Sequence, residues 1–180
     1  MNKQYYISEA KRAASIQINE LKKIKKIFNK SFIKAVDLIL NCKGKIIFAG
    51  IGKSGLIARK ISATFSSVGI PSFFCDPAQA LHGDMGQIEK KDILIIFSYS
   101  GNTSELTNMI KYANRYSIKI IGIASKPDSI LLKASDIKLI LPKVKESDVT
   151  GMVPTSSTSI TLLLGDCLAT TIMRQKKFSK

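Results

Sequence analysis

The chain has 180 residues, 45% of them apolar and 23% charged, a length and balance that suit one domain with its own core and exclude disordered, collagen-like and mucin-like chains. No apolar run approaches the roughly 18 residues of a membrane span; the cleanest is Ile93 to Phe97, and the opening MNKQYYISEAKR has no stretch resembling a secretory signal. The net charge of +15 is carried by 28 basic residues of which only four are Arg, in a chain without Trp, so it reads as a lysine-rich solvated surface that attracts small anions and not as a nucleic-acid interface.

In chain order, the first 41 residues predict two helices. Ile18, Leu21, Ile24 and Phe28 recur at helical spacing, and Phe32, Val36, Ile39 and Leu40 repeat the pattern after Asn29. Lys22, Lys23, Lys25 and Lys26 then occupy the opposite face, as expected of an amphipathic arm packed on the domain or on a partner subunit. After Gly44 short apolar runs alternate with helical patterns. Strands are predicted at Ile46–Ala49, Ser72–Phe74, Ile93–Phe97, Ile120–Ala124 and Ile137–Leu141, and helices at Leu56–Ser67, Ser104–Tyr116, Ser129–Ala134 and about Ser156 to Met173. Nearly continuous apolar strands alternating with helices indicate an α/β fold, a doubly wound five-stranded parallel sheet with helices on both faces. The organisation expected is an N-terminal helical arm at 1–41 and one globular unit at 42–180. Between Pro142 and Pro154 runs a loop long enough to call for a functional reason.

Ligands of such sheets sit beyond the carboxyl ends of the strands, where the strand order reverses. Three junctions lie there: AGIGKSG (Ala49–Gly55), SYSGNT (Ser98–Thr103) and ASKPDS (Ala124–Ser129). Each sets small or hydroxyl residues where a helix begins, and free N–H groups at a helix start favour an anion, most simply a phosphate. AGIGKSG fails as a Walker A loop because Ile47 stands where glycine is required. It passes formally as a dinucleotide fingerprint through Gly50, Gly52 and Gly55, with Asp76 downstream, but Lys53 suits a small anionic substrate or a developing oxyanion better, and Pro77 disturbs the ribose-binding turn. In SYSGNT, Ser98, Ser100 and Thr103 offer hydroxyls around Gly101; as a competing account, Asn102 and Glu105 form a capping box for the following helix. A second hydroxyl cluster, PTSSTS (Pro154–Ser159), opens the last helix and brings in Ser156 and Ser157. Together with Gly52 and Ser54 of the Gly-Lys loop, these favour a phosphorylated ligand.

Proton transfer on a sugar phosphate needs a carboxylate base, a donor for the enediolate oxygen and a group that assists ring opening. Glu105, Glu146, Lys53 and His82 supply those types without metal ligands or a cofactor. Cys42, Cys75 and Cys167 are widely spaced with no CxxC pair, which fits a reducing cytoplasm, and with one histidine in the chain a Cys75 nucleophile has little support.

At these residues the sequence resembles the sugar isomerase (SIS) fold, and within it the bacterial D-arabinose 5-phosphate isomerases. The likeness runs from about residue 8 to 173 through AGIGKSGLIARKISATFSSVGIPSFF, DPAQALHGDMG, FSYSGNTSEL, KVKES and PTSSTSITLLLGDCLA. It implies a flavodoxin-like strand order and interconversion of arabinose 5-phosphate and ribulose 5-phosphate through an enediol(ate), serving Kdo and lipopolysaccharide synthesis. It further implies catalytic roles for Lys53, Glu105 and Glu146, substrate contact by His82, and phosphate binding by Ser98, Ser100 and Thr103 with main-chain groups near Gly52 and Ser54. The resemblance has departures: the family's Ser-His-Pro-Gly-Gly segment and paired CBS domains have no counterpart here, Asn102 replaces a common glutamate, and Asp76 replaces a histidine linked to inhibitory metal binding. The expectation is a metal-free isomerase domain, a homodimer or homotetramer with shared sites that binds neither nucleic acid nor membrane. A non-catalytic sugar-phosphate or nucleotide-sugar sensing module is the alternative, favoured by the missing histidine segment.

Overall fold

The computed structural model describes residues 3–176. Helix α1 (Lys3–Leu21) passes into a 3-10 turn at Lys22–Ile27, and α2 (Lys30–Leu40) follows, its start fixed by the Asn29 side chain accepting a bond from the Ser31 N–H at 2.8 Å. Then come β1 (Ile46–Gly50), α3 (Gly52–Ser67), β2 (Ser72–Phe74), β3 (Ile93–Phe97), α4 (Leu106–Arg115), β4 (Lys119–Ala124), α5 (Ile130–Ala134), β5 (Ile137–Ile140) and α6 (Ser156–Gln175). All strand pairs are parallel, in the order β2-β1-β3-β4-β5, with Phe48 level with Ile95 and Leu94 level with Ile120.

The strands read as unbroken apolar runs because both sheet faces are covered, and alternate side chains serve different cores. Ile46, Phe48, Ile93, Ile95, Phe97, Ile121 and Ile123 point to the side of α2, α3 and α6. Ile47, Ala49, Leu94, Ile96 and Ile120 point to the other side, against Leu106, Met109 and Ile110 of α4 and Leu131 and Leu132 of α5. On the first face Phe65 of α3 meets Phe48 edge-on, with ring centroids 4.9 Å apart. There α3 and α6 cross at Gly165, where an added Cβ would lie 2.6 Å from Ile61.

Several expected boundaries move. Helix α3 begins four residues earlier than Leu56, because Gly52, at φ 57°, lets the chain turn directly out of β1. Helix α4 begins at Leu106, and the expected capping box does not form: Asn102 Oδ1 instead accepts the Ile130 N–H at 2.9 Å, tying the loop after β3 to the start of α5. The apolar stripe of the arm is also broken. Ile24 is buried, but Ile18 and Phe28 are exposed, since the 3-10 turn rotates the face that a continuous helix would have kept in line.

One buried carboxylate was not singled out by the sequence. Asp92, 1% exposed, accepts the Lys45 N–H at 2.7 Å and the Glu89 N–H at 2.8 Å, fastening the entries to β1 and β3. Asp92→Ala leaves both donors unmet and is expected to cost about 2–4 kcal/mol, read as a lower urea midpoint. Asp92→Asn, which keeps one acceptor, should lose less.

Candidate active site

The strand order reverses between β1 and β3, so the loops that leave these neighbouring strands diverge to opposite faces and open a crevice at their carboxyl ends. The first loop delivers Lys53 and Ser54 in the opening turn of α3, where unpaired N–H groups give a positive end. The second turns back on itself. The Gly101 N–H donates to Ser98 Oγ at 3.1 Å, Ser98 Oγ and Thr103 Oγ1 are 2.9 Å apart, and Ser125 Oγ donates to Tyr99 O at 2.7 Å.

The third wall comes from across the sheet. After β5 the 142–154 loop returns over the strand ends, held by Tyr99, whose hydroxyl accepts the Val144 N–H at 3.0 Å and donates to Pro142 O at 3.3 Å. This brings Glu146 onto the N-terminus of α6. Its Oε2 accepts the Thr155 N–H at 2.7 Å, the Thr155 hydroxyl at 2.8 Å and the Ser157 N–H at 3.3 Å. Burial pushes the Glu146 carboxyl up, but hydrogen bonds from Ser157 and Thr155 outweigh that and hold it below the ordinary glutamate value. The carboxylate form is therefore the resting one at neutral pH.

These walls enclose a cleft of about 490 Å³. Of the residues singled out in the sequence, Lys53, Ser54, Ser100, Glu146 and Ser157 line it together. The others stand elsewhere. Ser98 is buried within its loop and Thr103 is half-buried beside it. Ser156 is wholly buried, with its hydroxyl unpaired among the described residues. Gly52 borders a neighbouring shallow cleft with Gly50, Gly55 and Arg59. Glu105 is exposed just ahead of α4, where the Ser104 hydroxyl donates to it at 2.8 Å and, first among the causes, lowers its pKa. His82 is exposed on a 3-10 turn (Ala80–His82) in the segment after β2, away from the lining of the cleft. The start of α6, which the sequence offers to a phosphate, is partly taken by the chain's own Glu146.

Sequence reasoning missed Tyr99, Thr155, Thr158 and Thr161. Tyr99 stands between two serines of SYSGNT, and the threonines lie in or just beyond the PTSSTS run, so position within a hydroxyl-rich motif was the available signal. Cys75 is buried, and burial first, then Asp84 and Asp76, push its thiol up to about 11, which leaves little thiolate at neutral pH. Among the described residues, no group of three or more His, Cys, Asp and Glu could hold a metal ion, and no helix is long and apolar enough to cross a membrane.

The chain is similar to known proteins in sequence and in fold. An uncharacterized protein, RP505, of Rickettsia prowazekii (strain Madrid E) is 42% identical over 100% of this chain and 56% of its own length. The arabinose 5-phosphate isomerase KdsD of Francisella tularensis subsp. tularensis (strain SCHU S4 / Schu 4) is 41% identical over 97% of this chain and 54% of its own. The chain thus spans about half the length of the curated relatives it matches. Among solved structures, that of E. coli CFT073 c3406 in complex with arabinose 5-phosphate superposes with a TM-score of 0.96 at 32% identity, covering 100% of this chain and 96% of that one. The SIS domain profile matches residues 39–171, from the end of α2 through the sheet and most of α6. With the strand order, the two glycine turns and the crevice between them all within that span, the chain belongs to the SIS domain family.

Proposed function

We propose that the chain is an aldose–ketose isomerase domain that interconverts arabinose 5-phosphate and ribulose 5-phosphate. The observation that carries this reading is the meeting of Lys53 and Glu146 in one cleft with the hydroxyls of Ser54 and Ser100. The relatives' printed names and the sugar-phosphate complex of the structural neighbour support the choice of sugar. The phosphate binds where the α3 N-terminus, Ser54 and the Ser98–Thr103 loop converge, placing C1 and C2 toward the 142–154 loop. Once the ring is open, Glu146 removes the C2 proton and the electron pair forms the enediolate with its charge on O1; the hydroxyl proton passes from O2 to O1, and the carbon-bound proton returns from Glu146 to C1 as the C2 carbonyl forms. With Oε2 committed to the α6 N-terminus, Oε1 exchanges the proton, while Lys53 neutralises the enediolate oxygen.

His82 and Glu105 lie outside the lining of this cleft. A site shared between subunits of a cytoplasmic homo-oligomer would retain roles for them, and it requires self-association in analytical ultracentrifugation. On this reading the reaction feeds Kdo and lipopolysaccharide synthesis.

The deciding experiment is conversion of arabinose 5-phosphate to ribulose 5-phosphate by this chain with EDTA present. Turnover supports the assignment. Thermal stabilisation by the sugar phosphate without turnover would replace it with a binding module, and the absence of both would overturn the choice of arabinose 5-phosphate and leave the assignment resting on the fold. Ser100→Ala is expected to weaken phosphorylated ligands about tenfold while leaving free sugars unaffected. An equal loss for both would remove Ser100 from the phosphate site.

A further inference from the structure

Helix α1 has 19 residues and no buried one among those described, with Tyr5, Tyr6, Ile7 and Ile18 all facing solvent. Leu21, half-buried, packs against the core, and the helix's polar side chains reach one place in particular: the two residues that flank Glu146. The Lys145 N–H donates to Glu20 Oε2 at 3.0 Å. On the other side, Ser147 O accepts from Arg12 Nη2 at 2.7 Å, and Ser147 Oγ accepts from Gln17 Nε2 at 3.3 Å. The same Gln17 amide accepts the Ser159 hydroxyl at 3.2 Å, so one side chain bridges the loop and α6. Lys23 adds a weaker bond to Lys143 O at 3.4 Å.

We propose that α1 is a positioning element for Glu146: Glu20 holds the Lys145 backbone on one side of it, Arg12 and Gln17 hold the carbonyl and hydroxyl of Ser147 on the other, and together they set the direction in which its carboxylate enters the cleft. The inference rests on the reading of Glu146 as the acid–base group, and its geometry has a clear logic. Nothing in the 142–154 loop is regular structure, so the orientation of its central side chain depends on where its neighbours are tied. Tyr99 ties the loop at Pro142 and Val144, the α6 start ties the carboxylate itself, and the arm supplies the restraints between. Ser147, only 4% exposed, is held through all its polar groups: its N–H goes to Thr155 Oγ1 at 2.9 Å, and its carbonyl and hydroxyl go to α1. A shift of about 1 Å at a reacting group can cost about a hundredfold in rate.

The test uses Gln17→Ala, Glu20→Ala and the conservative Glu20→Gln in the full chain, with two readouts. In the isomerase assay, kcat for arabinose 5-phosphate should fall about tenfold or more in both alanine variants, with KM within about twofold because the Ser54 and Ser100 wall is untouched. Glu20→Gln, which keeps an acceptor for Lys145, should restore most of the rate. By hydrogen exchange, the Ser147 amide should exchange roughly tenfold faster in Gln17→Ala, although its acceptor, Thr155 Oγ1, is unaltered. Wild-type kcat with only a lower Tm, or unchanged Ser147 exchange, would overturn the proposal. A wild-type chain without turnover would sink the isomerase reading, and the exchange rates would then decide the arm's role on their own. If Glu20→Ala fails to fold, Gln17→Ala carries both readouts.

Discussion

Glu146→Gln is expected to lower kcat for arabinose 5-phosphate by about 10²–10⁴-fold and to leave thermal stabilisation by the sugar phosphate within a few-fold of wild type. The amide keeps the shape of the side chain and can still accept from Thr155 and Ser157, so the loop stays in place, but it cannot take up a proton. Its effect on pH dependence follows from the same bonds. Burial raises the native carboxyl, the Ser157 and Thr155 hydrogen bonds lower it by more, and the net value lies below that of an unfolded glutamate. The interaction therefore contributes stability above the unfolded value, and that contribution is lost as pH falls through the native one. Glu146→Gln should flatten the acid side of the stability curve accordingly. In the wild type, the acid limb of kcat/KM set by this group should lie below the ordinary glutamate range. Full activity in Glu146→Gln would end its assignment as the base.

Gly101→Ala should damage both fold and ligand binding. Gly101 has φ 70°, and a Cβ there would sit 2.2 Å from Ser129 Oγ and 3.0 Å from the Ala124 Cβ. Backbone strain and overpacking together are expected to cost about 2–4 kcal/mol, or a Tm lower by roughly 5–15 °C. The loop would have to withdraw from α5, breaking the bond from the Leu131 N–H to Gly101 O at 3.0 Å and moving Ser100 out of the cleft wall. Gly52→Ala is the comparison. Its φ is also positive, at 57°, but an added Cβ there meets open space, so it should lose only about 1 kcal/mol. Calorimetry of both variants distinguishes steric demand from backbone strain, and a wild-type Tm for Gly101→Ala would show that the loop can relax.

The sheet was legible because each strand is apolar on both faces: Ile93–Phe97 is recognisable as a doubly covered strand without knowledge of its neighbours. The turn at Gly101 was legible for a similar local reason, its glycine standing among hydroxyl residues where a positive φ is needed, whereas the direct turn at Gly52 was not, and the helix after it was expected to start later. Helix starts were less so. Asn102 and Glu105 have the spacing of a capping box, yet Asn102 caps across space onto α5, because a long-range partner competes on equal terms with a local one. The stripe from Ile18 to Phe28 failed for a different reason, a change of helical pitch that composition does not announce.

The candidate site divides along the same line. Composition and order alone pointed to an α/β chain with anion-favouring helix starts in the loops after β1, β3 and β4, because strand, turn and helix start are encoded within a few residues of one another. Only the tertiary structure decided that Glu146, on an irregular loop from the far edge of the sheet, lines one cleft with Lys53, and that Tyr99 and α1 bond to the loop on which it stands. It equally decided that Glu105 and His82 lie outside that cleft's lining. Loop placement is fixed by single hydrogen bonds to residues distant in the chain, such as Lys145 to Glu20, and such bonds leave no periodicity for the sequence to display.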